Sequence, residues 1–296
     1  MAEAGRRTTS RRDLARSPVF AALSPEVGGL DEAAFEEALA VDPDAVLALL
    51  ADMAGATDER LRRLARSLAG RVVVRLGRSG PARERGVGRL RRVPLAPGGE
   101  LDVDASMEAL LGAAAHGRPP DLQDLRATQW GRPSVALCLL VDRSGSVGGD
   151  RLAAAALAAA AVALRAPADH SVVAFSDTAL VLKAQDEARP VERVVDALLA
   201  LRGHGTTDLA LALSTARRQL ARTAATRRTT VLLTDGRSTT GEDPLPAARQ
   251  LDELLVVAPA DDAEQARELA GRAGARFEVL SGPSDVPRAL RLLADG

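Results

Sequence analysis

Two textures divide the chain. From residue 134 onward, short apolar runs alternate with longer stretches whose apolar positions recur every three to four residues. The runs at 135–141 (VALCLLV), 171–175, 230–234, 254–258 and 276–280 are short, and most are apolar at successive positions. That is the pattern of strands buried on both faces of a parallel sheet. Residues 179–183 follow a Ser-Asp turn and predict an antiparallel edge strand. The stretches 151–165, 191–201, 208–222, 246–251, 263–272 and 286–293 predict helices. Such alternation implies an α/β fold with a doubly wound, mostly parallel sheet, and ligands are expected outside the carboxyl ends of its strands.

The first 133 residues read differently. Residues 31–50 (DEAAFEEALAVDPDAVLALL) and 58–68 carry helical periodicity. RVVVRL at 71–76 predicts a strand, and the Gly-, Pro- and Arg-containing 79–88 a loop. A short strand running into a helix is expected over 100–112, followed by a connecting segment over 117–133. No internal repeat is visible. The expected organisation is a disordered 1–18, a smaller, largely helical N-terminal region over 19–133, and the α/β domain over 134–296.

Composition narrows the function classes. Apolar residues make up 46% of the chain but aromatics only 2%, so the core is aliphatic and base stacking on aromatic rings is a poor route to nucleic-acid binding. Net charge is −1, yet residues 60–92 hold twelve arginines against one acid, Glu84. That block reads as a solvated face paired with acids such as those of 31–44, as a dock for an acidic protein, or, least in keeping with the missing aromatics, as a nucleic-acid contact. Cys138 is the single cysteine and sits inside the apolar run at 135–141, so an inert buried thiol is expected. The N-terminus is basic but lacks the apolar core of a secretory signal, and the Ala-rich run 152–164 is shorter than the ~20 residues a membrane span needs. The expected setting is cytoplasmic, with no membrane partner.

Candidate chemistry concentrates in three segments. Asp142-Arg143-Ser144-Gly145-Ser146 follows the most apolar strand. The Gly-rich 203–208, containing Thr206, Thr207 and Asp208, opens a helix, and Asp235-Gly236 ends the strand TTVLLT. In a doubly wound sheet these loops can meet in one crevice. Carboxylate and hydroxyl oxygens suit Mg²⁺, Mn²⁺ or Ca²⁺ rather than zinc, which prefers nitrogen and sulfur. If Asp142 and Asp235 act partly through water, the three neutral donors (Ser144, Ser146, Thr207) leave a bound ion much of its charge, which favours an added anion, such as a carboxylate from another protein.

These residues resemble the metal-ion-dependent adhesion site of von Willebrand factor A domains: a DxSxS motif, a distant Thr and a later Asp. The resemblance assigns the metal ligands to Asp142, Ser144, Ser146, Thr207 and Asp235, with Thr207 preferred over Thr206 because Thr-Asp-Leu followed by a helix matches the bacterial pattern GTDLAxAL. VLLTDGRS also looks like the corresponding strand of bacterial members and of magnesium-chelatase D-type subunits. Upstream, GRVVVRLGRSGPARERGVGRL, GELDVDASMEALL and DLQDLRATQWGRP resemble bacterial CoxE-like proteins, which are associated with MoxR-type AAA+ ATPases. The resemblance implies a non-enzymatic, metal-dependent adaptor in chaperone-like maturation or assembly of a client. Its partner, the AAA+ ATPase or the client, would supply an Asp or Glu to the metal.

Competing readings fare less well. A Ser144–His204–Asp235 hydrolase lacks the G-x-S-x-G elbow, because Asp142 and Ser146 stand where the glycines belong. No Walker A sequence is present, so an ATPase of that type is excluded. A non-ATPase subunit of a metal chelatase is the alternative function, although the AAA-like region and long acidic linker of those subunits are missing. Asp208 is expected in the first turn of its helix, where its charge suits the helix dipole. Asp150 is expected to cap a helix and Asp177 to lie in a turn.

Overall fold

The computed structural model describes residues 14–17, 20, 23, 31–54, 89–94, 100–131, 134–144, 149–201, 203 and 205–290. The expected disordered 1–18 (apart from 14–17), the expected helix 58–68, the strand 71–76, the loop 79–88, and with them most of the arginine block, lie outside the described residues. The described residues up to Ala54 and from Val135 onward belong to one compact unit, and those from Arg89 to Ser134 to another.

The larger unit is built on six strands: β4 (Val135–Asp142), β5 (His170–Phe175), β6 (Ala179–Lys183), β7 (Arg227–Leu233), β8 (Glu253–Pro259) and β9 (Arg276–Leu280). Their order is β6-β5-β4-β7-β8-β9, parallel throughout except for β6, which pairs antiparallel with β5 at the edge. This is the doubly wound sheet expected from the sequence. Along β4 the side chains alternate between two cores. Leu137, Leu139 and Val141 enter one, and Ala136, Cys138 and Leu140 the other, as strand pleating requires.

Helices cover both faces. The first core takes α4 (Gly149–Arg165), whose alanines from Ala155 to Ala161 are all buried, together with α5 (Val191–Leu199) and α9 (Val286–Ala289). Small side chains let α4 lie close against the sheet and leave its outer side free for a further layer. That layer is α1 (Glu32–Val41) and α2 (Pro43–Ala54), with Phe35, Leu47, Leu50 and Met53 in the same core. The second core takes α6 (Leu209–Leu220), α7 (Pro244–Ala248) and α8 (Glu264–Ala273).

The helical stretch expected over 31–50 is two helices. Pro43 lacks an N–H and restricts the residue before it, so Asp42 leaves the helical region (φ −142°, ψ 85°). Asp42 then caps the next helix, its Oδ1 accepting from Ala45 N at 3.0 Å.

The smaller unit holds β1 (Arg89–Pro94), β2 (Glu100–Leu101), α3 (Val103–Ala115) and β3 (Arg126–Gly131). The strands form an antiparallel sheet in the order β1-β3-β2. The strand-to-helix passage at 100–112 matches expectation. The sheet does not: β3 occupies the segment expected to be a mere connection, because RATQWG shows no alternation of apolar and polar residues.

Candidate functional site

The strand order places a topological switch point between β4 and β7. The chain leaves β4 through α4 toward β5 on one side, and leaves β7 through α7 toward β8 on the other. Crossovers diverging from adjacent parallel strands open a crevice at their carboxyl ends. Asp142 is the last residue of β4, and Asp235 follows β7 by two residues.

Side-chain bonds tie the loops of this crest together. Asp142 Oδ1 accepts from Ser144 N at 2.9 Å, which folds the chain back directly after the strand. Its Oδ2 accepts from Thr234 Oγ1 at 2.7 Å, linking β4 to the end of β7. Thr234 Oγ1 in turn accepts from Gly236 N at 3.0 Å. Gly236 has φ +86°, and a Cβ there would lie 2.2 Å from the backbone nitrogen of Ala266. Only glycine fits this bend, which fixes the position of Asp235.

The loop before α6 joins the same crest. Thr207 N donates to Thr239 Oγ1 at 2.8 Å, and Thr207 O accepts from Thr239 N and Thr240 N at 3.0 and 3.1 Å. The next residue, Asp208, donates its N–H to Ser176 O at 2.9 Å, while Arg143 N donates to Phe175 O at 2.8 Å. The segments after β4, β5 and β7 and the entry to α6 are thus laced together. Thr207 is buried and Thr206 exposed. Asp208 is the N-cap of α6, accepting from Leu211 N at 2.8 Å, one position earlier than its expected place in the first turn. Asp150 lies in the first turn of α4 rather than capping it, and Asp177 accepts from Ser176 Oγ in its turn. Ser146 and His204 lie outside the described residues.

Charge at this end is acidic and poorly compensated. Burial pushes the Asp142 carboxyl above the ordinary carboxylate range, and the negative charge of Asp235 adds to the shift against the bonds from Ser144 and Thr234. Arg151 Nη1 lies 3.7 Å from the Asp235 carboxylate. Beside these two acids a cleft of about 620 Å³ runs along the ends of β7, β8 and β9. Its walls include Asp42, Asp44, Asp150 and Asp261. The Asp150 carboxyl is also raised, by burial first and then by Asp44 and Asp261. Asp44 holds this wall in place by accepting from Ser284 N at 2.7 Å and Ser284 Oγ at 3.0 Å.

Among the described residues, no three acids, histidines or cysteines are grouped to hold a metal by themselves. A cation here would need hydroxyl oxygens as well as carboxylates. Asp142, Ser144, Thr207 and Asp235 offer such a set, all hard oxygen donors that fit Mg²⁺, Mn²⁺ or Ca²⁺. Sequence reasoning missed Thr234, Arg151 and the acidic cleft wall. Thr234 had a visible signal, standing directly before Asp235. The wall had none, because Asp44 meets Ser284 across 240 residues of chain. Cys138 is fully buried and its thiol is pushed up to about 12 by burial, as an inert core thiol should be.

The family model of the von Willebrand factor type A domain matches residues 136–281. This part of the chain is a von Willebrand factor type A domain. Solved structures with a similar fold include a von Willebrand factor type A protein from Catenulispora acidiphila, 16% identical with a TM-score of 0.45, the match covering 56% of this chain and 43% of that one. Another is the conserved hypothetical protein BatB from Bacteroides thetaiotaomicron, 13% identical at TM-score 0.44, with 55% and 100% covered. A third is proximal thread matrix protein 1 of the mussel byssus with a zinc-occupied metal-ion-dependent adhesion site, 16% identical at TM-score 0.42, with 55% and 47% covered. The chain thus spans less than half of the Catenulispora and mussel chains. No curated protein matches the chain. No helix among the described residues is long and apolar enough to cross a membrane.

Proposed function

We propose that the protein is a metal-dependent protein-binding adaptor rather than an enzyme. Asp142, Ser144, Ser146, Thr207 and Asp235 would hold a divalent ion, Mg²⁺ in the first instance, and a partner would add an Asp or Glu carboxylate. The observation that carries this reading is the pair Asp142 and Asp235 at the switch point. The negative charge of Asp235 acts against ionisation of the half-buried Asp142, and hydroxyl-bearing loops are laced around the pair. A bound divalent ion supplies the positive charge that relieves this repulsion, and with one or both acids held through water it retains charge toward an incoming anion. Asp142 orients the loop through Ser144 N. Thr234 holds the second Asp142 oxygen, and Gly236 sets the height of Asp235.

The resemblance of the upstream sequence to CoxE-like proteins supports a MoxR-type AAA+ ATPase or its client as the partner, in chaperone-like maturation or assembly within the cytoplasm. Pull-down from lysate of the source cells in Mg²⁺ and in EDTA, with wild type beside Asp142→Ala, tests this. Wild type is expected to retain an ATPase or client in Mg²⁺ alone, and Asp142→Ala to retain neither. Retention that ignores both metal and Asp142 contradicts the reading.

A further inference from the structure

The smaller unit carries an apolar surface that the adhesion-site chemistry does not use. Among the described residues eight large hydrophobic side chains are exposed, and five of them, Leu101, Val103, Met107, Leu111 and Leu122, fall in this unit. Val103, Met107 and Leu111 are 50%, 41% and 63% exposed on α3. Spaced by four residues, they form one stripe along about 12 Å of helix.

The rotation of α3 that turns this stripe outward is fixed. Asp102 caps the helix, accepting from Ala105 N at 3.0 Å. On the inner face Ser106 is buried and bonded to β3, its Oγ accepting from Arg126 N at 2.9 Å and donating to Arg126 O at 3.3 Å. Ala113 is buried on the same side. The stripe cannot be tucked in without breaking the bonds of Ser106.

The charge beside the stripe says what can cover it. Asp104 and Glu108, one position after Val103 and Met107, are exposed along one edge, and α3 contains no basic residue. A second copy of the same face would set these acids against each other, and like charges at close range oppose association. A helix with its own apolar stripe and a flank of lysine or arginine satisfies both features. We propose that the outer face of α3 is a docking site for a basic amphipathic helix of a partner protein. Leu111 and Met107 are its apolar anchors, and Asp104 and Glu108 set its charge preference.

The test uses the full chain and a fluorescent Leu/Lys amphipathic peptide of about 18 residues, five turns, with a Leu/Glu peptide of the same pattern as control. Fluorescence anisotropy should show binding of the Lys peptide only, weakening about tenfold between roughly 50 mM and 300 mM salt. Met107→Ser/Leu111→Ser should lower affinity about tenfold or more. Asp104→Lys/Glu108→Lys should exchange the preference to the Glu peptide. All four positions are exposed, so circular dichroism should be unchanged. Asp142→Ala should bind the Lys peptide as wild type does, which separates this site from the metal-dependent one. The proposal is overturned if neither peptide binds, if both bind alike, or if Met107→Ser/Leu111→Ser binds undiminished. A wild-type dimer that those two substitutions split also overturns it, since the face would then be closed by a second copy.

Discussion

The two ends of the large sheet handle charge in opposite ways. At the amino-terminal end of the parallel strands, Glu253 and Asp169 are each held by several donors. Glu253 at the start of β8 receives Arg227 Nε at 2.8 Å, Arg276 Nη2 at 3.0 Å and Thr229 Oγ1 at 2.9 Å. Burial alone would raise its pKa, yet the bonds from Arg227 and Thr229 and the nearby guanidinium charges hold it below the ordinary range. Asp169 receives Gln185 Nε2 at 2.6 Å and the hydroxyl of Thr223, while Lys183 donates to the carbonyls of His170 and Ala184. At the carboxyl-terminal end, Asp142 and Asp150 are pushed up by burial and by neighbouring acids. The first end is arranged for stability. The second keeps unrelieved negative charge, which a cation can remove.

Several substitutions sharpen this contrast. The largest effect is expected from Gly236→Ala, which places a Cβ at φ +86° against the backbone of Ala266 and should cost about 3 kcal/mol. Denaturant unfolding reads that cost, and a neutral result would show that the crest can yield. Next, Glu253→Ala leaves two half-buried guanidiniums facing each other and should cost about 2 kcal/mol in the same assay. A loss well under 1 kcal/mol would remove the claim that this end is built on ion pairing.

His170 gives the pH signature of the amino-terminal end. Burial first, then the charge of Lys183, lowers its pKa from 6.5 to about 4. The unfolded chain takes up this proton as pH falls through 6.5, while the folded chain does so only near 4. Stability should therefore fall across that window, by about 3 kcal/mol at most. His170→Gln should flatten that part of the pH profile in thermal melts. An unchanged slope would mean that other groups carry it.

The smallest effect has the opposite sign. Because the folded-state pKa of Asp142 is raised, its ionised form subtracts stability. The cost is absent below the ordinary value of 3.8 and grows as pH rises toward the folded-state pKa. Asp142→Asn should be neutral or stabilising in EDTA at pH 7, within about 1 kcal/mol. A marked loss would place Asp142 with the structural acids of the other end.

Much of the sheet is legible in the sequence because strands such as β4 and β8 are buried on both faces and read as unbroken apolar runs. The edge strand β6 is legible from its turn. The three-stranded sheet of the smaller unit is not, since RLRRVP and RATQWG carry charge and amide where alternation would announce a strand. Nor does the sequence show that α1 and α2 pack with the large sheet, a grouping made possible by the small side chains of α4. At the site, Asp142 and Asp235 stand out because each directly follows an apolar run of the sequence, VALCLLV and TTVLLT. The bond from Thr234 to Asp142 spans 92 residues and needs the parallel pairing of β4 with β7 before it can be seen.

The central claim is that the crest between β4 and β7 takes a divalent cation. Isothermal titration of Mg²⁺ and Mn²⁺ into the metal-free chain, with Asp142→Ala alongside, tests it most directly. The account predicts one saturable site in wild type and none in the variant, with both proteins folded by circular dichroism. No heat in wild type, or the same heat in both, would contradict it.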